Sequence, residues 1–128
     1  MKTLVRAALA AAILAASVTA PALAHHAINA QFDVTKLVAK EGVLTRLDNI
    51  NPHAHWHFDV KNAEGKVENW NIESVAPNAL RAAGISMKQD IKIGQTYKFS
   101  IAPSRNGTNT GLLLVIEVNG KTIRLVAE

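Results

Sequence analysis

The segment from His53 to Lys61 constrains the fold more than any other part of this chain, because its polar and apolar residues alternate without interruption. Alternation with a period of two is typical of a β-strand with one buried and one solvated face. The apolar face holds Ala54, Trp56, Phe58 and Val60. The polar face holds His53, His55, His57, Asp59 and Lys61. The sequence therefore predicts a half-buried strand that presents a row of histidines to solvent.

The residues after this strand predict a tight hairpin. Residues 62–66 contain turn formers, and a loop with Gly65 in the left-handed conformation would pair Asn62 with Lys66. This register is favoured because it packs the aromatic residues of both strands together. The inner pairs are Phe58 with Trp70 and Trp56 with Ile72; the outer pairs are His55 with Glu73, His57 with Asn71, and Asp59 with Asn69.

The order of the elements predicts the fold class. Strands are expected at residues 38–48, 53–61, 70–73, 95–102, 112–118 and 121–127, with a helix at residues 76–84 and a β-bulge at Gly42. Pro77 and Gly84 are typical residues for the two ends of that helix, and Asn119-Gly120 predicts a two-residue hairpin. The prediction is a mainly β protein: a small OB-like antiparallel β-barrel with one short helix between the third and fourth strands. A split α+β sheet is the alternative.

The first 24 residues have the three parts of a secretory signal peptide. Lys2 and Arg6 come first, an apolar stretch follows from Ala7 to Val18, and small residues end at Ala24. A membrane-spanning helix needs roughly 20 consecutive apolar residues, whereas this stretch has about 12. We therefore expect cleavage after Ala24, release into the periplasm or the medium, and no membrane span in the mature chain.

The mature chain is expected to be one domain that begins with His25-His26. Residues 25–36 lack clean periodicity, so they are predicted to form an extended N-terminal arm anchored by Phe32, followed by the barrel at residues 37–128. The chain has no Cys, which excludes disulfides, thiolate metal sites and thiol nucleophiles. Its chemistry must come from His, carboxylate or hydroxyl groups.

All five histidines lie between residues 25 and 57, which points to a metal site. Residues one pleat apart on a strand are separated by roughly 6.6 Å, so the imidazoles of a His-x-His pair can close on one ion. His53 and His57 are too far apart to share an ion on a straight strand. A site would use two of His53, His55 and His57 with a further ligand. A solvated strand face that binds nothing is equally compatible with this pattern.

Two further groups could complete such a site. Glu73 opposite His55 would give a set suited to zinc, iron(II) or copper(II), or it is simply an exposed cross-strand partner. A freed His25 offers its amino and ring nitrogens to one ion, a chelate that favours copper(II), and His26 lies beside it. The alternative for both is a solvated terminus without function. Clustered histidines that titrate together near neutral pH are a third use.

Other functions fit the sequence poorly. No nucleophile-elbow motif surrounds any serine, which argues against a serine hydrolase. Lys2 and Arg6 leave with the leader, so the net charge falls from +4 to about +2. The aromatic residues of the hairpin face the core, whereas single-strand binding needs them exposed. We therefore expect no nucleic-acid partner.

Short motifs along the mature chain resemble one known family. They are His25-His26, Phe32-Asp33, Gly42, Asn51-Pro52-His53, Asp59-Val60, Gly65, Trp70 to Glu73, Pro77-Asn78-Ala79-Leu80 with Gly84, and Gly94. Together they make the chain similar to a family of small exported bacterial proteins catalogued as a domain of unknown function. The resemblance implies export and a small OB-like barrel, and it implies no established activity or ligand.

The family pattern maps onto four of the candidate residues. It includes the leading His pair, the His of the Asn-Pro-His motif and the acidic residue near Trp70, which correspond here to His25, His26, His53 and Glu73. His55 departs from the pattern. The resemblance therefore favours a site built from the N-terminal arm, His53 and His57 over one built from His55 and Glu73.

These observations predict a periplasmic, non-enzymatic β-barrel that binds a divalent transition metal, copper(II) before zinc(II). The candidate ligands are His25, His26, His53, His55, His57 and Glu73. The alternatives are an adaptor module that contacts another envelope protein without a metal, and a copper oxidase built on the N-terminal His chelate. No catalytic residue is assigned.

Overall fold

The expected hairpin forms in the computed structural model, which describes residues 27–125. Strands β2 (His55–Lys61) and β3 (Val67–Glu73) are antiparallel, and the backbone N–H of Asn62 donates to the carbonyl oxygen of Lys66 at 2.9 Å. Gly65 has a φ of 80°, which a glycine adopts without steric cost. The pairs expected across the hairpin are all observed: Phe58 with Trp70, Trp56 with Ile72, His55 with Glu73, His57 with Asn71, and Asp59 with Asn69.

The remaining elements close a barrel. They are β1 (Val38–Asp48), α1 (Pro77–Ala82), β4 (Thr96–Pro103), β5 (Thr110–Val118) and β6 (Lys121–Arg124). The sheet order is β3-β2-β1-β4-β5-β6, and a parallel pairing of β3 with β5 joins five strands into a ring. The mainly β, OB-like fold with a helix between the third and fourth strands is confirmed, and the split α+β sheet is wrong.

Aromatic rings fill the barrel where the alternating segment turns inward. The rings of Phe58 and Phe99 stack with centroids 4.2 Å apart, and Tyr97 meets Phe58 edge to face at 6.4 Å. Trp56 and Phe58 are fully buried, and Ala54 and Val60 lie on the same inner face. Because these side chains occupy the core, the histidines between them must face outward.

The bulge in β1 lies between Leu44 and Arg46, so the expectation of a bulge at Gly42 is wrong. Gly42 is required by a close approach of two strands. A Cβ atom at this position would lie 2.8 Å from the carbonyl oxygen of Asp59 and 2.8 Å from Cγ2 of Val60. Only glycine allows β1 and β2 to pair at this distance.

The expectation of an extended arm over residues 25–36 is wrong in part, because residues 27–31 are helical. Ala and Gln in this stretch favour helix, but five residues are too few to reveal a helical period. The barrel unit begins at Phe32, whose side chain is buried and whose backbone bridges to Ser104, as expected of an anchor. The leader at residues 1–24 and the pair His25-His26 lie outside the described residues. Between residues 27 and 125, no helix is long and apolar enough to span a membrane.

Candidate functional site

The candidate site is the outer surface of β2 and β3 together with the adjoining end of β1, here called the polar face. OB barrels bind their ligands on this surface and on the loops beside it. It is polar because every second residue of β2 points outward while the residues between them form the core. The polar face contains Asp48, His53, His55, His57, Asn71 and Glu73.

At one end of the polar face, an imidazole and a carboxylate meet. Nδ1 of His53 contacts Oε1 of Glu73. The side chain of His53 is 42% exposed and that of Glu73 is 19% exposed, so the pair is open to solution on the imidazole side. His53 therefore has one ring nitrogen held by the protein and the other, Nε2, as its remaining donor atom.

His55 is held by an amide and not by the carboxylate opposite it. Its Nδ1 lies 3.1 Å from Oδ1 of Asn71. The backbone pairing of His55 with Glu73 is the predicted one, but the carboxylate of Glu73 reaches His53 instead. Of these two histidines, His53 contacts the carboxylate of Glu73 and His55 contacts the amide of Asn71.

His57 is enclosed by charged groups from β1. Its Nε2 lies 3.1 Å from Oδ2 of Asp48 and 2.9 Å from Nη2 of Arg46, and these two β1 residues are themselves 2.8 Å apart. Partial burial raises the pKa of Asp48, but hydrogen bonds from Arg46 and His57 outweigh it and hold that pKa below its usual range. The side chain of His57 is only 13% exposed, and the opposite charges of Arg46 and Asp48 beside it largely cancel.

His53 and His55 reach their partners along one diagonal of the sheet. In the strand register His55 lies opposite Glu73, and His57 lies opposite Asn71. The side chain of His55 nevertheless contacts Asn71, and that of His53 contacts Glu73. Side chains of this length reach diagonal neighbours across an antiparallel pair, and the twist of the strands shortens one of the two diagonals. The polar face is thus arranged by register and twist together.

The backbone beneath His53 and Glu73 is held by a buried hydrogen bond. Nε1 of Trp56 donates to Oγ of Ser74 at 2.9 Å, and Ser74 is 1% exposed. The N–H of Ser74 donates to the carbonyl oxygen of Ala54 at 2.9 Å, which extends the pairing beyond the end of β3. His53 precedes Ala54 and Glu73 precedes Ser74, so this backbone hydrogen bond keeps His53 and Glu73 side by side.

Sequence reasoning missed Arg46, Asp48 and Asn71 as members of the site. The predicted register pairs Asn71 with His57. Contacts between diagonal neighbours across the two strands would instead bring Asn71 to His55. Arg46 and Asp48 could not be found in this way, because the bulge between Leu44 and Arg46 shifts the register of β1 against β2. That shift is not visible in the alternation of either strand.

The arrangement offers imidazole nitrogens for a metal ion but no complete set of ligands. Among the residues that the structure describes, no group of three or more His, Asp or Glu side chains is placed to hold an ion. His53 and His55 each have one ring nitrogen tied to an oxygen atom. An ion bound here would take part of its coordination shell from water or from residues outside the described part of the chain.

The fold and the polar face define a small OB-like β-barrel with a histidine-lined outer surface. The chain matches the model of the family of unknown function DUF6152 over residues 12–114, more than half of its length, and belongs to that family. No curated protein and no solved structure matches the chain.

Proposed function

We propose that this chain is an exported β-barrel protein that binds a divalent transition metal, copper(II) or zinc(II), at the His53 end of the polar face. The observation that carries the proposal is the contact between Nδ1 of His53 and Oε1 of Glu73. It brings an imidazole from the β1–β2 loop and a carboxylate from β3 to one place, with His55 one pleat away on the same face. Imidazole is a good ligand for both metals.

Exposure and charge support the His53 end over the His57 end. His53 is 42% exposed, whereas His57 is 13% exposed and lies beside the Arg46 guanidinium. Arginine stays protonated at any pH the protein meets, and Arg46 balances the charge of the Asp48 carboxylate 2.8 Å away, so these two groups present no net negative charge to a cation at His57. The carboxylate of Glu73, by contrast, attracts a cation to His53.

Export is part of the proposal and is supported by the three-part leader pattern of residues 1–24. Cleavage after Ala24 would give a chain that begins with His25-His26. The amino group and ring of His25 form a chelate by themselves, so this terminus is a second source of copper(II) affinity. Its contribution has to be measured separately from that of His53.

The test uses protein that a bacterial host exports with the chain's own leader. Fractionation and mass spectrometry give its location and its first residue, and calorimetric titration at pH 7.5 gives its affinity for copper(II) and zinc(II). We expect one main site, weakened about tenfold or more by His53→Ala, because one of its few protein donors is lost. His57→Ala is the matched control and should leave the affinity nearly unchanged.

The proposal would be overturned by no binding of either metal, or by equal losses in the His53 and His57 variants. A third variant with Ala inserted ahead of His25 blocks the terminal chelate. If this insertion alone removes copper(II) binding while His53→Ala has no effect, the site is the N-terminus and not the polar face.

An adaptor role is the second candidate, and a groove of about 600 Å³ beside the polar face favours it. The groove is lined by Val43 and Val67, which are 37% and 52% exposed, together with Glu41, Asp59 and Lys61. Wild-type protein that binds no metal would favour this role. A copper oxidase is the remaining alternative, and oxygen consumption by the copper-loaded protein in the presence of a reductant tests it.

A further inference from the structure

Two neighbouring histidines of the polar face are tied to the protein through the same ring atom. Nδ1 of His53 contacts Oε1 of Glu73, and Nδ1 of His55 lies 3.1 Å from Oδ1 of Asn71. We infer that Glu73 and Asn71 are positioning residues that keep both imidazoles in the Nδ1–H form, so that both Nε2 atoms are the donors for copper(II) or zinc(II). This inference rests on the proposed metal-binding function and specifies its ligand atoms.

The proton positions follow from the chemistry of the two oxygen partners. An ionised carboxylate accepts hydrogen bonds and donates none, and the carbonyl oxygen of an Asn amide also only accepts. A neutral imidazole that bonds to either oxygen through Nδ1 must therefore carry its proton on Nδ1. Nε2 then has a free lone pair, which is the form that binds a metal ion.

This arrangement is the one found around metal-binding histidines in general. A ligating imidazole almost always donates its second ring N–H to a carboxylate or a carbonyl oxygen, which fixes the ring and raises its basicity. In this chain the carboxylate of Glu73 and the amide oxygen of Asn71 occupy those two places. Glu73 therefore acts through His53 and is not itself a ligand, unlike its role in the set predicted from the sequence.

The inference also separates His57 from the other two histidines. His57 is approached at Nε2, by Arg46 and Asp48, and not at Nδ1. Nε2 of His57 lies 3.1 Å from Oδ2 of Asp48 and 2.9 Å from Nη2 of Arg46, so this atom is already occupied by protein partners. The three histidines are thus distinguished by their neighbours: His53 and His55 are held at Nδ1, whereas His57 is held at Nε2 and is only 13% exposed.

The first experiment measures the proton positions without metal. Long-range ¹H–¹⁵N correlation spectra of the metal-free wild-type protein at pH 8 distinguish the Nδ1–H from the Nε2–H form of each imidazole. We expect the Nδ1–H form at both His53 and His55. Asn71→Leu removes the acceptor and should shift His55 towards the Nε2–H form, while Asn71→Asp keeps an acceptor and should retain the Nδ1–H form.

The second experiment measures metal affinity in the same variants. Loss of an orienting partner of this kind typically weakens binding about 10- to 100-fold, so Asn71→Leu should lower the affinity by about tenfold and Asn71→Asp should not. Asn69→Leu is the matched control, because Asn69 is the next outward residue of β3 and donates to Oδ1 of Asp59, not to a histidine. Circular dichroism of each variant checks that the barrel remains folded.

The outcomes separate this inference from the proposed function. An Nε2–H form of His53 or His55 in a wild-type protein that binds metal overturns the inference and leaves the proposed function intact. Equal affinity of wild type and Asn71→Leu does the same. Nδ1–H forms at both residues in a protein that binds neither metal overturn the donor assignment and the proposed function together.

Discussion

The hydroxyl group of Ser74 connects the core of the barrel to its polar face. It accepts a hydrogen bond from the buried indole of Trp56 at 2.9 Å, and it follows Glu73 directly in the chain. A buried indole N–H without an acceptor costs the full desolvation of that group. One small side chain therefore stabilises both the largest core residue and the backbone that carries the carboxylate.

Ser74→Ala is expected to destabilise the protein by about 1–3 kcal/mol, because the Trp56 N–H loses its acceptor. Urea denaturation followed by circular dichroism measures this loss. Ser100→Ala is the control: Ser100 lies on the outer side of β4 and is half-buried, so its replacement should stay within about 0.5 kcal/mol. Equal effects of the two substitutions would contradict the role given to Ser74.

At the residue scale, the sequence revealed which side chains share the polar face but not which of them touch. Strict alternation placed His53, His55 and His57 outward, and burial of the aromatic residues determined the register that brings Glu73 and Asn71 beside them. The actual contacts depend on a diagonal set by strand twist and on the β1 bulge. Strand twist and the bulge do not change the alternation of polar and apolar residues, so the sequence does not show which side chain each histidine contacts.

At the scale of the elements, the close approach of β1 and β2 depends on Gly42. A Cβ atom at this position would lie only 2.8 Å from a backbone atom, the carbonyl oxygen of Asp59. Backbone atoms paired in a sheet cannot move without breaking hydrogen bonds. The spacing of β1 and β2, and with it the contact of Asp48 and Arg46 with His57, therefore depends on one missing side chain.

Gly42→Ala is expected to cost about 1–3 kcal/mol by overpacking this strand pair. Gly111→Ala is the comparison, because the nearest atom there is the side-chain end Cδ1 of Ile101 at 2.7 Å, and the nearest backbone atom, the carbonyl oxygen of Ala102, is 3.0 Å away. We expect a smaller loss at Gly111, measured as the difference in urea midpoint between the two variants. A larger loss at Gly111 would mean that the core at Ile101 is less adaptable than the β1–β2 pair.

Most elements of the fold could be predicted because each has a local signal. The hairpin of β2 and β3, the helix with Pro77 and Gly84, and the Asn119-Gly120 turn all depend on residues close in sequence. The parallel pairing of β3 with β5 joins segments far apart in the chain and was only implied by the fold class. The helical residues 27–31 were missed because so short a stretch has no measurable period.

At the scale of the whole molecule, closure of the barrel makes β3 a rigid support for the site. β3 is paired with β2 along its length and with β5 at residues 71–73, and the N–H of Asn71 donates to the carbonyl oxygen of Asn109. Asn71 and Glu73 are therefore held from both sides. Positioning residues on such a scaffold can orient a ligand group more accurately than residues on a free loop.

The interior of the barrel predicts that the protein folds without a metal ion. Within the described residues, no buried side-chain nitrogen or oxygen lacks a hydrogen-bond partner, and the core contains only apolar and aromatic groups apart from Ser74. Removal of metal by EDTA should thus leave the circular dichroism spectrum unchanged. It should lower the melting temperature, because an ion that binds the folded state at 100 times its Kd contributes about 2.7 kcal/mol.

For a domain of this size that contribution corresponds to a shift of roughly 10 °C or more. At the same metal concentration His53→Ala should show a smaller shift, because a site weakened tenfold contributes only about 1.4 kcal/mol, while its metal-free form should remain folded. If EDTA unfolds the wild-type protein, the ion is a structural part of the barrel. Folding would then depend on metal bound at the polar face. The prediction that the core is stable without metal, which rests on its fully hydrogen-bonded buried polar groups, would be wrong.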